Sequence, residues 1–292
     1  MLSEVRKWEA LGSYYELCGY RIFAIDLGPS GIEEREPLVF LHGFPTSSYD
    51  FYALVDRVRR DRRVVLFDLL GYGLSEKPDI RYSIGLQADI VVALTGTLGI
   101  ERLSMFTHDM GDTVGGELLA REMEGAWSVE IVERLLTNGS IYIEMAHLSA
   151  GQEMLLEMAD EKFEDLGVIT RESLMESLRA THAPSSTVRD SELAAQCEMI
   201  TVNDGHLLLA RLIRYIEERR QNQGRYTGAI ESHPAPLSVI WGAKDPIAVS
   251  EMAARLLLAR PDAQLRMIES AGHFPMIERP DEFLIAMSEL GW

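Results

Sequence analysis

The stretch LSMFTHDMGDTVGGELLA, residues 103–120, decides the fold. Its first half is a short apolar run of the kind that forms a buried strand. A tight Thr-His-Asp-Met-Gly turn follows, and then a helical stretch whose start is crowded with Thr and Gly. A strand can turn this sharply into a helix only if the residues two before and two after the apex are small, and Thr107 and Gly111 meet that need. The apex residue is Asp109. A side chain there stands clear of the backbone at the carboxyl end of its strand, which suits a nucleophile. The plainer alternative is that Asp109 caps the helix that begins near Gly111, a common role for Asp.

Outward from this stretch the same rhythm repeats. The runs PLVFLHG (37–43), RVVLFDLLG (63–71), VERLLTNG (132–139), PLSVIWG (236–242) and LRMIESAG (265–272) are each apolar and each end in a turn. Helix-like stretches at 83–98 and 112–124 lie between such runs, and the alternation predicts an α/β fold with helices on both faces of a parallel sheet. A segment rich in Tyr, Ile and Phe from Ser13 to Asp26 predicts an antiparallel hairpin at the start, giving a mostly parallel sheet of eight strands. Between Asn138 and Pro236 the strands stop. Helical patterns at 150–165, 171–181, 189–200 and 204–222 fill the interval, the last with Asn203 or Asp204 as its N-cap and RRQNQGR as its polar end. The sequence thus divides into a core of residues 1–138 and 236–292 and a helical cap, 139–235, over the carboxyl edge of the sheet, where open α/β sheets bind ligands.

Composition narrows the function. With 47% hydrophobic and 25% charged residues among 292, the chain is an ordinary globular protein. Its 46 Asp and Glu against 28 Lys and Arg leave a net charge of −18, which repels a phosphate backbone or an anionic membrane face. Nucleic acid and membrane are therefore not expected as partners. Cys18 and Cys197 form neither a disulfide framework nor a metal motif, and MLSEVRKWEA has no signal-peptide core, so a cytoplasmic location is expected. The sequence leaves the oligomeric state open, and no cofactor or metal is called for.

Three further strand ends carry groups that could act with Asp109. His273 lies in SAGHFP after the last run, and Asp245 lies in WGAKDP after the run before it. If Asp245 accepts from one ring nitrogen of His273, the other nitrogen is free to take a proton from water. The third is LHGFP at 41–45, which would place the Phe44 N–H beside Asp109 and complete an oxyanion hole with the N–H of Met110. His42 and Tyr142 are candidate substrate-binding residues at the rim. His108 reads as packing beneath the turn, and Asp68 and Gly71 as shaping a turn nearby.

This constellation resembles the aspartate-nucleophile α/β-hydrolases of the epoxide hydrolase and haloalkane dehalogenase group. The likeness spans nearly the whole chain. HGFPTSSYDF, FDLLGYGLSEKPD, RYSIGLQA, HDMGD and RYIEERR also resemble the mesoderm-specific transcript group within that superfamily. The resemblance implies a carboxylate that attacks a saturated carbon and leaves an alkyl ester, which water activated by His273 then hydrolyses at the Asp109 carbonyl carbon. A serine would leave a stable ether instead.

The leaving group is less legible. Haloalkane dehalogenases resemble one another in gripping the halide with a Trp directly after the nucleophile and a second donor, whereas this chain has Met110, and its Trp residues, 8, 127, 241 and 292, lie outside the cap interval. Fluoroacetate dehalogenases pair arginines with the substrate carboxylate in a pattern that Met110 and Thr113 do not match. Epoxide hydrolases share the HGFP turn and donate protons from two cap tyrosines. Leu208, Leu212 and Tyr215 share a helical face, so Tyr215 is the first candidate, with Tyr142 second and His147 or His182 as substitutes. The reading is an epoxide hydrolase-like enzyme acting on a small apolar organic substrate with water. Carbon–halogen hydrolysis and a non-catalytic binding protein are the alternatives.

Overall fold

In the computed structural model, residues 1–292 are described apart from Glu33, Glu34, Leu166 and Val168. The eight strands are β1 (Ser13–Leu17), β2 (Tyr20–Leu27), β3 (Leu38–Leu41), β4 (Val64–Phe67), β5 (Arg102–His108), β6 (Glu130–Thr137), β7 (Leu237–Gly242) and β8 (Gln264–Ile268). They form one sheet in the order β1-β2-β4-β3-β5-β6-β7-β8. β2 runs antiparallel to β1 and β4, and every other pairing is parallel. All side chains of β3, β4 and β7 are buried, as expected for strands covered on both faces.

The helices are α1 (Ser3–Glu9), α2 (Val55–Val58), α3 (Ile84–Thr97), α4 (Met110–Met123), α5 (Ala150–Glu157), α6 (Arg171–Thr181), α7 (Asp190–Thr201), α8 (Leu209–Leu212), α9 (Tyr215–Ser232), α10 (Ser250–Ala259), α11 (Pro275–Glu278) and α12 (Pro280–Glu289). Side-chain caps set several starts. Ser83 accepts from the Leu86 N–H at the head of α3, while Ser149 with Gln152 and Thr170 with Ser173 form reciprocal capping boxes on α5 and α6. Beneath the turn after β5, the Phe106 ring packs 5.2 Å from Phe40, 5.0 Å from Phe51 and 5.7 Å from Phe283, centroid to centroid. This cluster joins β3, β5 and α12 beneath the central strand ends.

The interval between β6 and β7 differs from the sequence expectation in three places. The first helix stops at Glu157 rather than 165. Asn203 and Asp204 do not cap a helix: both take left-handed backbone, φ 53° and 60°, inside a 3₁₀ segment, Val202–Leu208, a conformation that Asn and Asp tolerate better than most residues. The expected single helix over 204–222 is divided into that segment, α8 and α9. α9 runs straight through RRQNQGR to Ser232, kinked only at Asn222. Its packing on α4 and the anchoring of its end by Arg134, whose guanidinium donates to the Ile230, His233 and Ala235 carbonyls, override the poor local propensity. Among the described residues, no helix is long and apolar enough to cross a membrane.

Candidate active site

Asp109 occupies the turn between β5 and α4 with φ 51° and ψ −118°, a sparsely populated conformation that costs on the order of 1–3 kcal/mol. Its side chain does not cap α4. The turn is possible because residue 111 is glycine: a Cβ there would lie 2.3 Å from the Leu41 carbonyl oxygen. The parallel pairing of Leu41 with Thr107 brings the loop after β3 alongside, so close that a Cβ on Gly43 would lie 2.5 Å from that of Asp109. The Phe44 N–H therefore donates to Asp109 Oδ1 at 2.8 Å. Burial raises the Asp109 pKa, opposed by the His273 charge and by the Phe44 and Met110 N–H groups.

The other carboxylate oxygen faces a histidine. Asp109 Oδ2 lies 3.6 Å from His273 Nε2, and His273 Nδ1 lies 2.8 Å from Asp245 Oδ2. Burial works to lower the His273 pKa, but the Asp245 charge and hydrogen bond, with the Asp109 charge, outweigh it and raise the value to about 9. Asp245 is itself held on every side: Oδ1 accepts from the Ile247 and Ala248 N–H groups, and Oδ2 also accepts from Asn138 Nδ2 at 2.8 Å. The three groups thus sit after β5, β7 and β8, at the carboxyl edge of the sheet.

Two residues that the sequence did not single out hold this array. Asn138, at φ 43°, also accepts from the Gly242 N–H, tying the ends of β6 and β7 together. Glu278 is buried and accepts from the Gly272, Phe274 and Ala183 N–H groups, fixing the backbone on both sides of His273. The position of Asn138 directly after β6 hinted at its role, whereas Glu278, at the end of α11, carried no such signal. His108 packs beneath the turn as expected, its Nε2 donating to the His273 carbonyl. Asp68 shapes its turn by accepting from Ser48 and from the Leu74 N–H.

A cavity of about 310 Å³ opens on His273 and Phe44 and is walled by α5 and α6 through Leu155, Leu174 and Leu178, with Phe274 opposite. The lining is chiefly apolar. Tyr215 is buried at the start of α9, its ring 5.9 Å from that of Phe44, and burial followed by the Asp109 charge pushes its hydroxyl well above the usual value. One turn further on, the fully buried Arg219 donates to Thr113 Oγ1, while its Nε and Nη2 and both carboxylate oxygens of buried Asp112 have no hydrogen-bond partner among the described residues. Burial raises Asp112 to about 8. The spacing of Tyr215 and Arg219, one helical turn apart in RYIEERR, was the available sequence signal for Arg219.

Two expected substrate contacts are placed elsewhere. His42 is fully buried, and both ring nitrogens are engaged: Nδ1 with the Gly43 carbonyl and Nε2, as acceptor, with the Leu69 N–H. It braces the loop instead of facing a ligand. Tyr142 donates its hydroxyl to Glu231 at 2.7 Å, with the Arg255 guanidinium over its ring, so it is not a second proton donor at the site. Of the two substitutes, His147 is exposed, and His182 is buried edge-on to Phe274 with burial lowering its pKa to about 4.

The profile of the alpha/beta hydrolase fold family matches residues 36–280. LipZ of Mycobacterium tuberculosis is 31% identical over 287 residues, 98% of this chain and 97% of LipZ. The human mesoderm-specific transcript homolog protein is 32% identical over 295 residues, 97% of this chain and 86% of that protein. The crystal structure of an alpha/beta hydrolase fold protein from Burkholderia ambifaria superposes with a TM-score of 0.76 at 23% identity, covering 97% of this chain and 98% of that one. The sheet order, the turn at Asp109 and these matches agree that the chain belongs to the α/β-hydrolase family.

Proposed function

We propose that this hydrolase uses Asp109 as a covalent nucleophile and opens epoxides to vicinal diols. The observation that carries the reading is the division of labour within one carboxylate: Oδ1 accepts from the Phe44 N–H while Oδ2 faces His273 Nε2. Oδ2 attacks an epoxide carbon, the ring C–O bond breaks, and the electron pair goes to the ring oxygen, which takes a proton from Tyr215. Oδ1 becomes the ester carbonyl oxygen, already placed where N–H groups will stabilise the oxyanion of the next step. Esterification also removes the Asp109 charge, one of those that hold His273 protonated, so its pKa falls, its proton passes to solvent, and the neutral imidazole can deprotonate the attacking water; the proton is taken up again when the Asp109 carboxylate is restored. A serine at this position could not complete the cycle, because an ether has no carbonyl carbon for water to attack.

Residues 139–235 act as a helical cap, whose α5 and α6 supply the apolar wall of the cavity, and the preferred substrate is a small apolar epoxide. Carbon–halogen hydrolysis would share the alkylation step but needs donors for the halide. The indole N–H groups of Trp8 and Trp241 are already given to Ser48 and to the Ala248 carbonyl. A panel of epoxides and bromoalkanes, read by diol formation and by bromide release, tests the reading: turnover should favour epoxides and vanish in Asp109→Ala. Comparable bromide release would overturn the choice of leaving group, and unchanged function in Asp109→Ala would overturn the catalytic reading itself.

A further inference from the structure

With Tyr142 committed to Glu231, the leaving oxygen has one tyrosine donor, and a second buried tyrosine stands beside it. Tyr72 lies in the loop after β4, between Gly71 at φ 91° and Gly73 at φ 51°. Asp68 fixes that loop, and Gly71 lies hard against Leu212 of α8, which binds the loop to the segment leading into Tyr215. The Tyr72 ring meets Phe44 edge-on at 6.5 Å, and Tyr215 meets the same Phe44 at 5.9 Å. The Asp109 charge acts on both hydroxyls, and Tyr72 acts in turn on that of Tyr215.

The partners of these hydroxyls set them apart. Tyr82, Tyr142 and Tyr226, also buried, each donate to an oxygen: the Pro78 carbonyl, Glu231 and Glu218. The Tyr72 hydroxyl instead donates to Met110 Sδ at 3.3 Å, on the residue that follows the nucleophile. A thioether is a weak acceptor, so this donor is held in place without being strongly engaged.

We infer that Tyr72 is the second donor to the epoxide oxygen, so that the acid pair of this site is one tyrosine from the core loop after β4 and one from the start of α9. The inference rests on the covalent epoxide reading above and deepens it. In the ground state Tyr72 rests on Met110 Sδ. As the ring C–O bond breaks, the oxygen becomes a far stronger acceptor, and Tyr72 turns from sulfur to it, an interaction made mainly in the transition state. Tyr215 gives its proton and Tyr72 holds the nascent hydroxyl. In the second half-reaction one proton of water passes through His273 to the departing ester oxygen, and the other restores the Tyr215 phenol.

The test compares Tyr72→Phe with its parent in a His273→Gln background, where the ester accumulates, using 1,2-epoxyhexane and 1-bromohexane in single turnovers read by intact mass. Bromide leaves without a proton. Alkylation by the epoxide should fall about 10²-fold in Tyr72→Phe, with alkylation by the bromide changed less than about threefold. Equal losses with both reagents would mean that Tyr72 only packs the site, and no loss with either would mean that it has no role; each result overturns the inference. Adduct from the bromide alone in the parent would overturn it together with the epoxide reading but leave the nucleophile in place. Adduct from neither reagent in the parent would overturn the covalent reading and this inference together.

Discussion

His273 Nε2 stands 3.6 Å from Asp109 Oδ2, near enough for charge attraction and just too far for a hydrogen bond. The gap matters because the two groups act in sequence: the carboxylate attacks first, and the imidazole then acts on a water at the ester that results. A histidine bonded tightly to Oδ2 would occupy the attacking lone pair.

The charge state of His273 should therefore depend on Asp109. With both carboxylates present the His273 pKa is raised to about 9, and Asp109→Asn should lower it. Imidazole ¹⁵N shifts followed from pH 5 to 10 would read both values. Since the folded pKa exceeds the unfolded value of about 6.5, the contribution of this histidine to stability is complete below that pH and is lost as pH rises through about 9. Thermal unfolding of the wild type should show this decline more steeply than the Asn variant does.

Asp245→Asn should preserve the fold while removing the charge that orients His273. By analogy with other triads whose carboxylate is neutralised, hydrolysis of the ester should slow by about 10⁴-fold. Alkylation should change far less, so pre-steady-state kinetics would show a burst followed by a much slower steady phase. Equal loss in both phases would argue against this role.

Tyr215→Phe keeps the ring against Phe44 and removes the proton. Single-turnover alkylation by epoxides should fall about 10²–10⁴-fold, with breakdown of a preformed ester unchanged. Unchanged alkylation would reduce Tyr215 to a packing residue.

The turn itself makes a prediction about stability. Gly111→Ala would drive a Cβ toward the Leu41 carbonyl, a backbone atom that cannot swing aside, so Asp109 must move or β3 must shift. A marked drop in the unfolding midpoint is expected, by more than the change caused by Gly96→Ala, whose added Cβ meets nothing within 4 Å.

Much of the frame was legible in the sequence because it is local. Apolar runs ending in turns located β3 to β8, and a carboxylate between Thr107 and Gly111 marked the turn at Asp109. Asp245 and His273 follow from the same rule, three residues past the end of β7 and five past the end of β8. What failed depends on contacts across the fold. Tyr142 was plausible by position, but Glu231, far along the chain, takes its hydroxyl. His42 neighbours the oxyanion loop, yet the Leu69 N–H claims its free nitrogen. The helix expected over 204–222 is divided after the left-handed backbone at Asn203 and Asp204, and α9 continues past RRQNQGR where it packs on α4, neither of which periodicity within one segment can report. Tyr72 was passed over because its flanking glycines read as a turn and nothing more.

The central claim is that Asp109 is alkylated during turnover, and the most direct measurement is the intact mass of His273→Gln after incubation with an epoxide. The account predicts a mass gain equal to one whole epoxide, mapped by peptide digestion to Asp109 and absent from the Asp109→Ala, His273→Gln double variant. An unmodified protein across the epoxide and bromoalkane panel, or an adduct on any other residue, would contradict it.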